Sequence, residues 1–308
     1  MSLINSDSRG VFVIAVTPFA DDGTIDEASI DRVTDFYFEQ GADGLTILGM
    51  MGEAPKLTQT EALAITRRTL GRAGNRPVVV GVSAPGLAAI GDLTRAVMDL
   101  GAAGVMVAPP SVLRTNEQIT AYYGEVMETV GSGVPVVLQD FPLSTGVQIS
   151  IDTLGRIVEA HSDIVMLKHE DWPGLAKISA LRAAEAKGRR RLSILCGNGG
   201  IFLPEEIARG ADGAMTGFGY LEMMVEVCRL AGAGEMDRAQ DIFDAYLPLV
   251  RYEQQPGIGL AVRKHVLKRR GAIASAAQRR PGALLPAAAV VEVERLISRQ
   301  ERRLAALG

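Results

Sequence analysis

Eight short apolar runs, amphipathic segments between them and a recurring glycine-bearing phrase predict an α/β chain of the (β/α)₈ TIM barrel class with a C-terminal helical extension. The runs fall at residues 11–16, 44–48, 77–82, 104–108, 135–139, 164–168, 192–196 and 213–216. Nearly every residue in them is apolar, as in strands buried on both faces of a parallel sheet; an antiparallel sandwich would alternate instead. Segments 26–40, 58–73 and 152–160 carry apolar residues at helical spacing. The phrases Gln-Gly-Ala-Asp-Gly at 40, Leu-Gly-Ala-Ala-Gly at 100 and Arg-Gly-Ala-Asp-Gly at 209 end a helix on glycine and lead into a strand. A doubly wound sheet usually has fewer strands and a dinucleotide-binding glycine fingerprint, so the eight units favour the barrel. From Leu221 onward the pattern is mostly helical. The expected division is therefore a barrel over 1–220 and a helical extension over 221–308, with 281–286 as a loop before the last helix.

Composition sets the broad class. The 308 residues are 47% hydrophobic, 22% charged and 5% aromatic, which suits a globular chain with a sizeable core. A net charge of -4 gives no support to nucleic-acid binding, and the basic clusters at 187–191 and 268–270 are short and read as solvated faces. Cys196 and Cys228 lack metal-ligand spacing and lie in or beside apolar segments, which predicts two buried thiols in a reducing, cytoplasmic setting. The N-terminus has no long apolar core and no later stretch reaches membrane-spanning length, so neither export nor a membrane partner is expected.

In a (β/α)₈ barrel, function sits at the carboxyl ends of the strands and in the loops that follow. The sixth run ends in Lys168-His169-Glu170-Asp171-Trp172, the second leads into Gly49-Met50-Met51-Gly52-Glu53, and the fifth into Gln139-Asp140-Phe141-Pro142-Leu143-Ser144-Thr145-Gly146. An amine delivered by a buried strand reads either as a Schiff-base nucleophile or as a lysine marking where the strand emerges into water. A turn flanked by Gly49 and Gly52 offers backbone N–H groups to an anion such as a carboxylate, or is a tight turn packed by two methionines.

Together these residues resemble the dihydrodipicolinate synthase and N-acetylneuraminate lyase family of class I aldolases. Thr17-Pro18-Phe19, Gly49-x-x-Gly52-Glu53, Pro142, Thr145-Gly146, Lys168 and Gly197 fall in the family's order and spacing over nearly the whole length. The resemblance implies that Lys168 forms an imine with pyruvate or another 2-keto acid, and that the chain assembles as a homo-oligomer, a tetramer or dimer. It implies a substrate site of Gly49, Met50, Met51, Gly52, Glu53, Ser144, Gly197 and Thr216. No cofactor or metal is expected, because the imine itself is the electron sink.

The chain departs from that family where protons are moved. The usual relay tyrosine aligns with Gln139, the hydroxyl residues of the glycine turn with Met50 and Met51, the neighbouring subunit's tyrosine near Val112, and the arginine that grips the second substrate's carboxylate with Ser144. A glutamine amide does not titrate, and a positioned general acid or base contributes a factor of about 100 to 10,000. Asp140 and Glu170, with His169 behind them, are the candidate replacements; alternation along the strand turns His169 away from Lys168 and returns Glu170 to its side. The methionines, with Phe141 and Trp172, suggest either a less polar substrate than a sugar acid or plain packing. Two functions follow: a Schiff-base lyase or aldolase with a replaced proton relay, or a 2-keto acid binding or regulatory protein on the same barrel.

Overall fold

The computed structural model describes residues 2–172 and 174–307. In chain order the elements are β1 (Gly10–Ile14), α1 (Glu27–Glu39), β2 (Gly44–Ile47), α2 (Gln59–Ala73), β3 (Val78–Gly81), α3 (Leu87–Asp99), β4 (Gly104–Val107), α4 (Asn116–Val130), β5 (Val136–Asp140), α5 (Pro142–Thr145), α6 (Ile151–Ala160), β6 (Ile164–His169), α7 (Leu175–Glu185), β7 (Ser193–Cys196), α8 (Leu203–Ala208) and β8 (Gly213–Ala214). Four helices follow: α9 (Leu221–Gly232), α10 (Met236–Glu253), α11 (Gly259–Arg269) and α12 (Ala287–Ala306). Each strand pairs in parallel with the next, and β8 pairs with β1, closing the barrel as the sequence predicts. All eight strands coincide with the eight apolar runs.

Local signals explain where the helices begin. Asp26 accepts a hydrogen bond from the Ser29 N–H to cap α1, and Thr58 and Thr115 form capping boxes with Glu61 and Gln118 at the starts of α2 and α4. Inside the barrel, Phe12, Ile14, Val79, Met106, Val137, Met166 and Leu195 fill the lumen, with Ile4 plugging its amino-terminal end against Ala103. The alternate strand positions face the surrounding helices and form the larger outer core.

Packing on either side of residue 220 shows how the barrel meets the helices that follow it. Helix α9, the first helix after residue 220, packs on β1 and α8, and α10 packs on α9. The extension is pinned to the carboxyl-terminal face of the barrel by buried charge. Arg263 of α11 lies 2.6 Å from Glu253 and donates to the Gly217 carbonyl, while Glu253 accepts from the Gly219 N–H at 3.1 Å. Its neighbour Lys264 reaches the loops after β1 and β2.

Candidate active site

At the carboxyl end of the barrel, neighbouring strands set Gln139 of β5 beside Lys168 of β6. Because side chains alternate, both point into the mouth, and Glu170, two residues beyond Lys168, joins them. The Lys168 Nζ lies 2.9 Å from Glu170 Oε2, and the Gln139 amide donates to the same oxygen at 2.7 Å. All three side chains are buried, so each of these bonds is worth more than it would be in water.

Gly197 makes this arrangement possible. A Cβ built there would overlap the Glu170 side chain, so the loop after β7 leaves the volume the carboxylate occupies. The next residues form a tight turn in which Asn198, Gly199 and Gly200 all have positive φ. Asn198 donates its side-chain amide to the Glu170 carbonyl at 3.2 Å, and Thr216 accepts from the Gly199 N–H at 2.8 Å. Thr216 thus holds the loop that seats Glu170.

The glycine turn after β2 is a short 3₁₀ turn, closed by the Gly52 N–H to the Gly49 carbonyl and the Glu53 N–H to the Met50 carbonyl, each 3.0 Å. Its leading N–H groups, at Met50 and Met51, precede the first bond of the turn and so have no acceptor within it. Met51 packs on the barrel's interior layer, whereas Met50 is 42% exposed and sits 3.1 Å from the Ser144 hydroxyl. Val112, in the loop after β4, is exposed, as are the paired rings of Trp172 and Phe202, 4.9 Å apart in the loops after β6 and β7.

Two expected site residues point elsewhere. Glu53 turns its carboxylate away from the turn and into a buried ion cluster: Lys264 Nζ at 2.6 Å, Lys56 Nζ at 2.8 Å and the Arg279 N–H at 3.1 Å. Lys264 also donates to the carbonyls of Thr17 and Ala277, both at 2.8 Å. Burial draws the Lys264 ammonium below its ordinary pKa, and Glu53 pulls it back up. Glu53 is therefore an anchor for the turn rather than a group facing its opening.

Asp140 faces outward, between the barrel and α7, where its Oδ2 meets Lys177 Nζ at 2.5 Å. It follows Gln139 by one residue, and the alternation that turns Gln139 inward turns Asp140 out. Burial raises its carboxyl to about 6 against the pull of Lys177. His169 shares this outer side; its Nε2 lies 3.1 Å from the Gly174 carbonyl, and burial lowers its pKa to about 4, so it is neutral at pH 7. Lys177 itself carried no readable signal, being one lysine in a weakly patterned helix.

Among the described residues no group of three or more His, Cys, Asp and Glu side chains has the arrangement of a metal site, and no helix is long and apolar enough to cross a membrane. Cys196 is buried and Cys228 partly so; neither is in a disulfide.

Comparison with known proteins agrees with this architecture. Residues 7–300 match the dihydrodipicolinate synthetase family. An L-2-keto-3-deoxyarabonate dehydratase of Azospirillum brasilense is 32% identical over 279 residues, covering 89% of this chain and 88% of its own. A 4-hydroxy-tetrahydrodipicolinate synthase of Thiobacillus denitrificans is 32% identical over 250 residues, covering 79% and 81%. A crystal structure described as dihydrodipicolinate synthase from Rhodopseudomonas palustris superposes with a TM-score of 0.96 at 54% identity, over 97% of this chain and all of that one. The chain belongs to the dihydrodipicolinate synthetase family and is an enzyme of its lyase class.

Proposed function

We propose that this enzyme forms a Schiff base between Lys168 and pyruvate or a related 2-keto acid, and that Glu170 carries the protons the family's tyrosine carries elsewhere. The observation behind this reading is the buried contact of the Lys168 amine with the Glu170 carboxylate, held in place by the Gln139 amide.

The chemistry runs through one carboxyl group. Glu170 takes a proton from the Lys168 ammonium, freeing the nitrogen lone pair to attack the keto carbon. The protonated carboxyl then donates to the hydroxyl of the resulting carbinolamine, which leaves as water and gives the cationic imine. Glu170, a carboxylate again, sits beside that cation and removes a proton from the adjacent carbon to form the enamine. The enamine can attack an aldehyde, and the same steps in reverse cleave a carbon–carbon bond. A hydroxyl one carbon further along can instead be expelled, which is the outcome named for the Azospirillum relative. Gln139, unable to titrate, acts by orienting Glu170. The N–H groups of Met50 and Met51 are suited to the substrate carboxylate, with Ser144 at the rim. Without the synthase arginine, aspartate semialdehyde is not the favoured second reactant. The reading includes a cytoplasmic homo-oligomer, dimer or tetramer, and no bound cofactor.

Borohydride reduction with pyruvate, followed by peptide mass spectrometry, should leave an adduct on Lys168. Exchange of the pyruvate methyl hydrogens with D₂O, followed by NMR, reads the proton step without knowledge of the second reactant. Glu170→Gln should still trap an adduct on long incubation and lose exchange by about 100-fold or more. No adduct with any of several 2-keto acids sinks the Schiff-base reading; an adduct without exchange in the native protein favours a binding role.

A further inference from the structure

Each side chain at the mouth has a chain neighbour on the opposite face of the strand ends: Asp140 beyond Gln139, His169 beyond Lys168 and Asp171 beyond Glu170. These outer residues converge on the start of α7, and two of them on one amine. Lys177 Nζ lies 2.5 Å from Asp140 Oδ2, 3.2 Å from Asp171 Oδ2 and 2.6 Å from the Ile149 carbonyl. An ammonium has three donors, and three acceptors on three separate segments use them all. The Lys177 side chain is 6% exposed and Asp140 fully buried, so water does not compete for the bond between them, while Asp171 lies at the cluster's partly open edge. His169 completes the contact with α7 through the Gly174 carbonyl.

We propose that Lys177 is a positioning residue for the active site, tying together from behind the end of β5, the loop before α6 and the loop after β6. Its pull on Asp140 fixes the backbone that carries Gln139, and its pull on Asp171 fixes the backbone that carries Glu170. The two mouth groups are thereby held at hydrogen-bond distance from each other and from Lys168. A displacement of about 1 Å at a proton-transfer group costs on the order of 100-fold in rate, so a brace of this kind acts on turnover more than on binding. The inference rests on Lys168 as imine former and Glu170 as proton carrier.

The test separates positioning from simple stability. Lys177→Met alone leaves Asp140 buried and uncompensated, which threatens the fold. The double variant Lys177→Met/Asp140→Leu removes both charges and should regain stability, and Asp171→Asn, at the partly open edge of the cluster, leaves the core charges in place. Three quantities are read on each: urea midpoint, borohydride adduct on Lys168, and pyruvate methyl exchange. We expect the double variant to keep the adduct and an unchanged KM for exchange, with kcat lowered by about ten-fold or more, and Asp171→Asn to lower kcat in the same direction without loss of stability. Exchange that returns to the native rate along with stability would make Lys177 a structural residue only and overturn the proposal. Absence of any adduct in the native protein would instead remove the Schiff-base reading on which it stands.

Discussion

Replacing Gly197 with alanine tests the geometry of the mouth through a single methyl group. The φ of Gly197 is -105°, so glycine is required there for space rather than for a left-handed backbone. The added Cβ would overlap Cγ, Cδ and Oε1 of Glu170. Neither backbone can retreat easily, because the Gly197 N–H is bonded to the His169 carbonyl at 2.8 Å and the Glu170 N–H to the Asp140 carbonyl at 2.9 Å. The Glu170 side chain must therefore swing out, losing the Gln139 amide and the Lys168 ammonium together. A hydrogen bond to a charged group contributes about 1.5–3 kcal/mol, so losing the amide contact alone should lower stability by about that much. Lys168 itself does not meet the new methyl. Urea unfolding should thus show a loss of about 1.5–3 kcal/mol, and the Lys168 adduct with pyruvate should persist, while methyl exchange drops by about 100-fold or more. Wild-type exchange in Gly197→Ala would mean that Glu170 need not occupy its observed place, and the assignment of its role would be wrong.

Two further predictions concern groups away from the mouth. Glu206 of α8 is buried beside Cys196, with one carboxyl oxygen unpartnered, and burial raises its pKa to about 8 from 4.5. A folded-state pKa above the unfolded one gives stability that is complete below about 4.5 and lost as pH rises through about 8. Glu206→Gln should consequently gain on the native protein by a few kcal/mol between pH 5 and 9, on the order of 1.4 kcal/mol per pH unit inside the window; parallel pH profiles in urea would refute this. Glu53→Ala strands the Lys264 ammonium, which is wholly buried, and should lower stability by about 3–5 kcal/mol. Thermal melts that match the native protein would remove Glu53 from its anchoring role.

The barrel was legible because strands covered on both faces are apolar at every position, a pattern that survives without knowledge of any contact. The place of Lys168 at the end of β6 followed from the same run, and period-two alternation put Glu170 on its side of the strand. Alternation applied to β5 also separates Asp140 from Gln139, but its value depends on knowing which residue of β5 faces inward, and that is fixed by the pairing of Gln139 with Lys168. The contacts of Glu53 were not legible because its partner, Lys264, lies 211 residues away and nothing local distinguishes a carboxylate that faces a ligand from one that faces an anchor. Gly197 stood out as a residue of the β7 loop, while the reason for it, the volume of Glu170, is visible only in three dimensions. The packing of α9 on β1 was hidden for a comparable reason: a helix that lies against the strands and a helix that caps them have the same periodicity.

The link from Lys264 to Glu53 and Thr17 also sets an order of events during synthesis. The loops after β1 and β2 leave the ribosome early, yet the ammonium that gathers their carbonyl and carboxylate oxygens belongs to a helix that begins at Gly259. Until that helix emerges, the rim at those two loops lacks its central cation. A chain that ended before α11 would therefore carry Lys168 on a barrel whose two rim loops lack the contacts of Lys264.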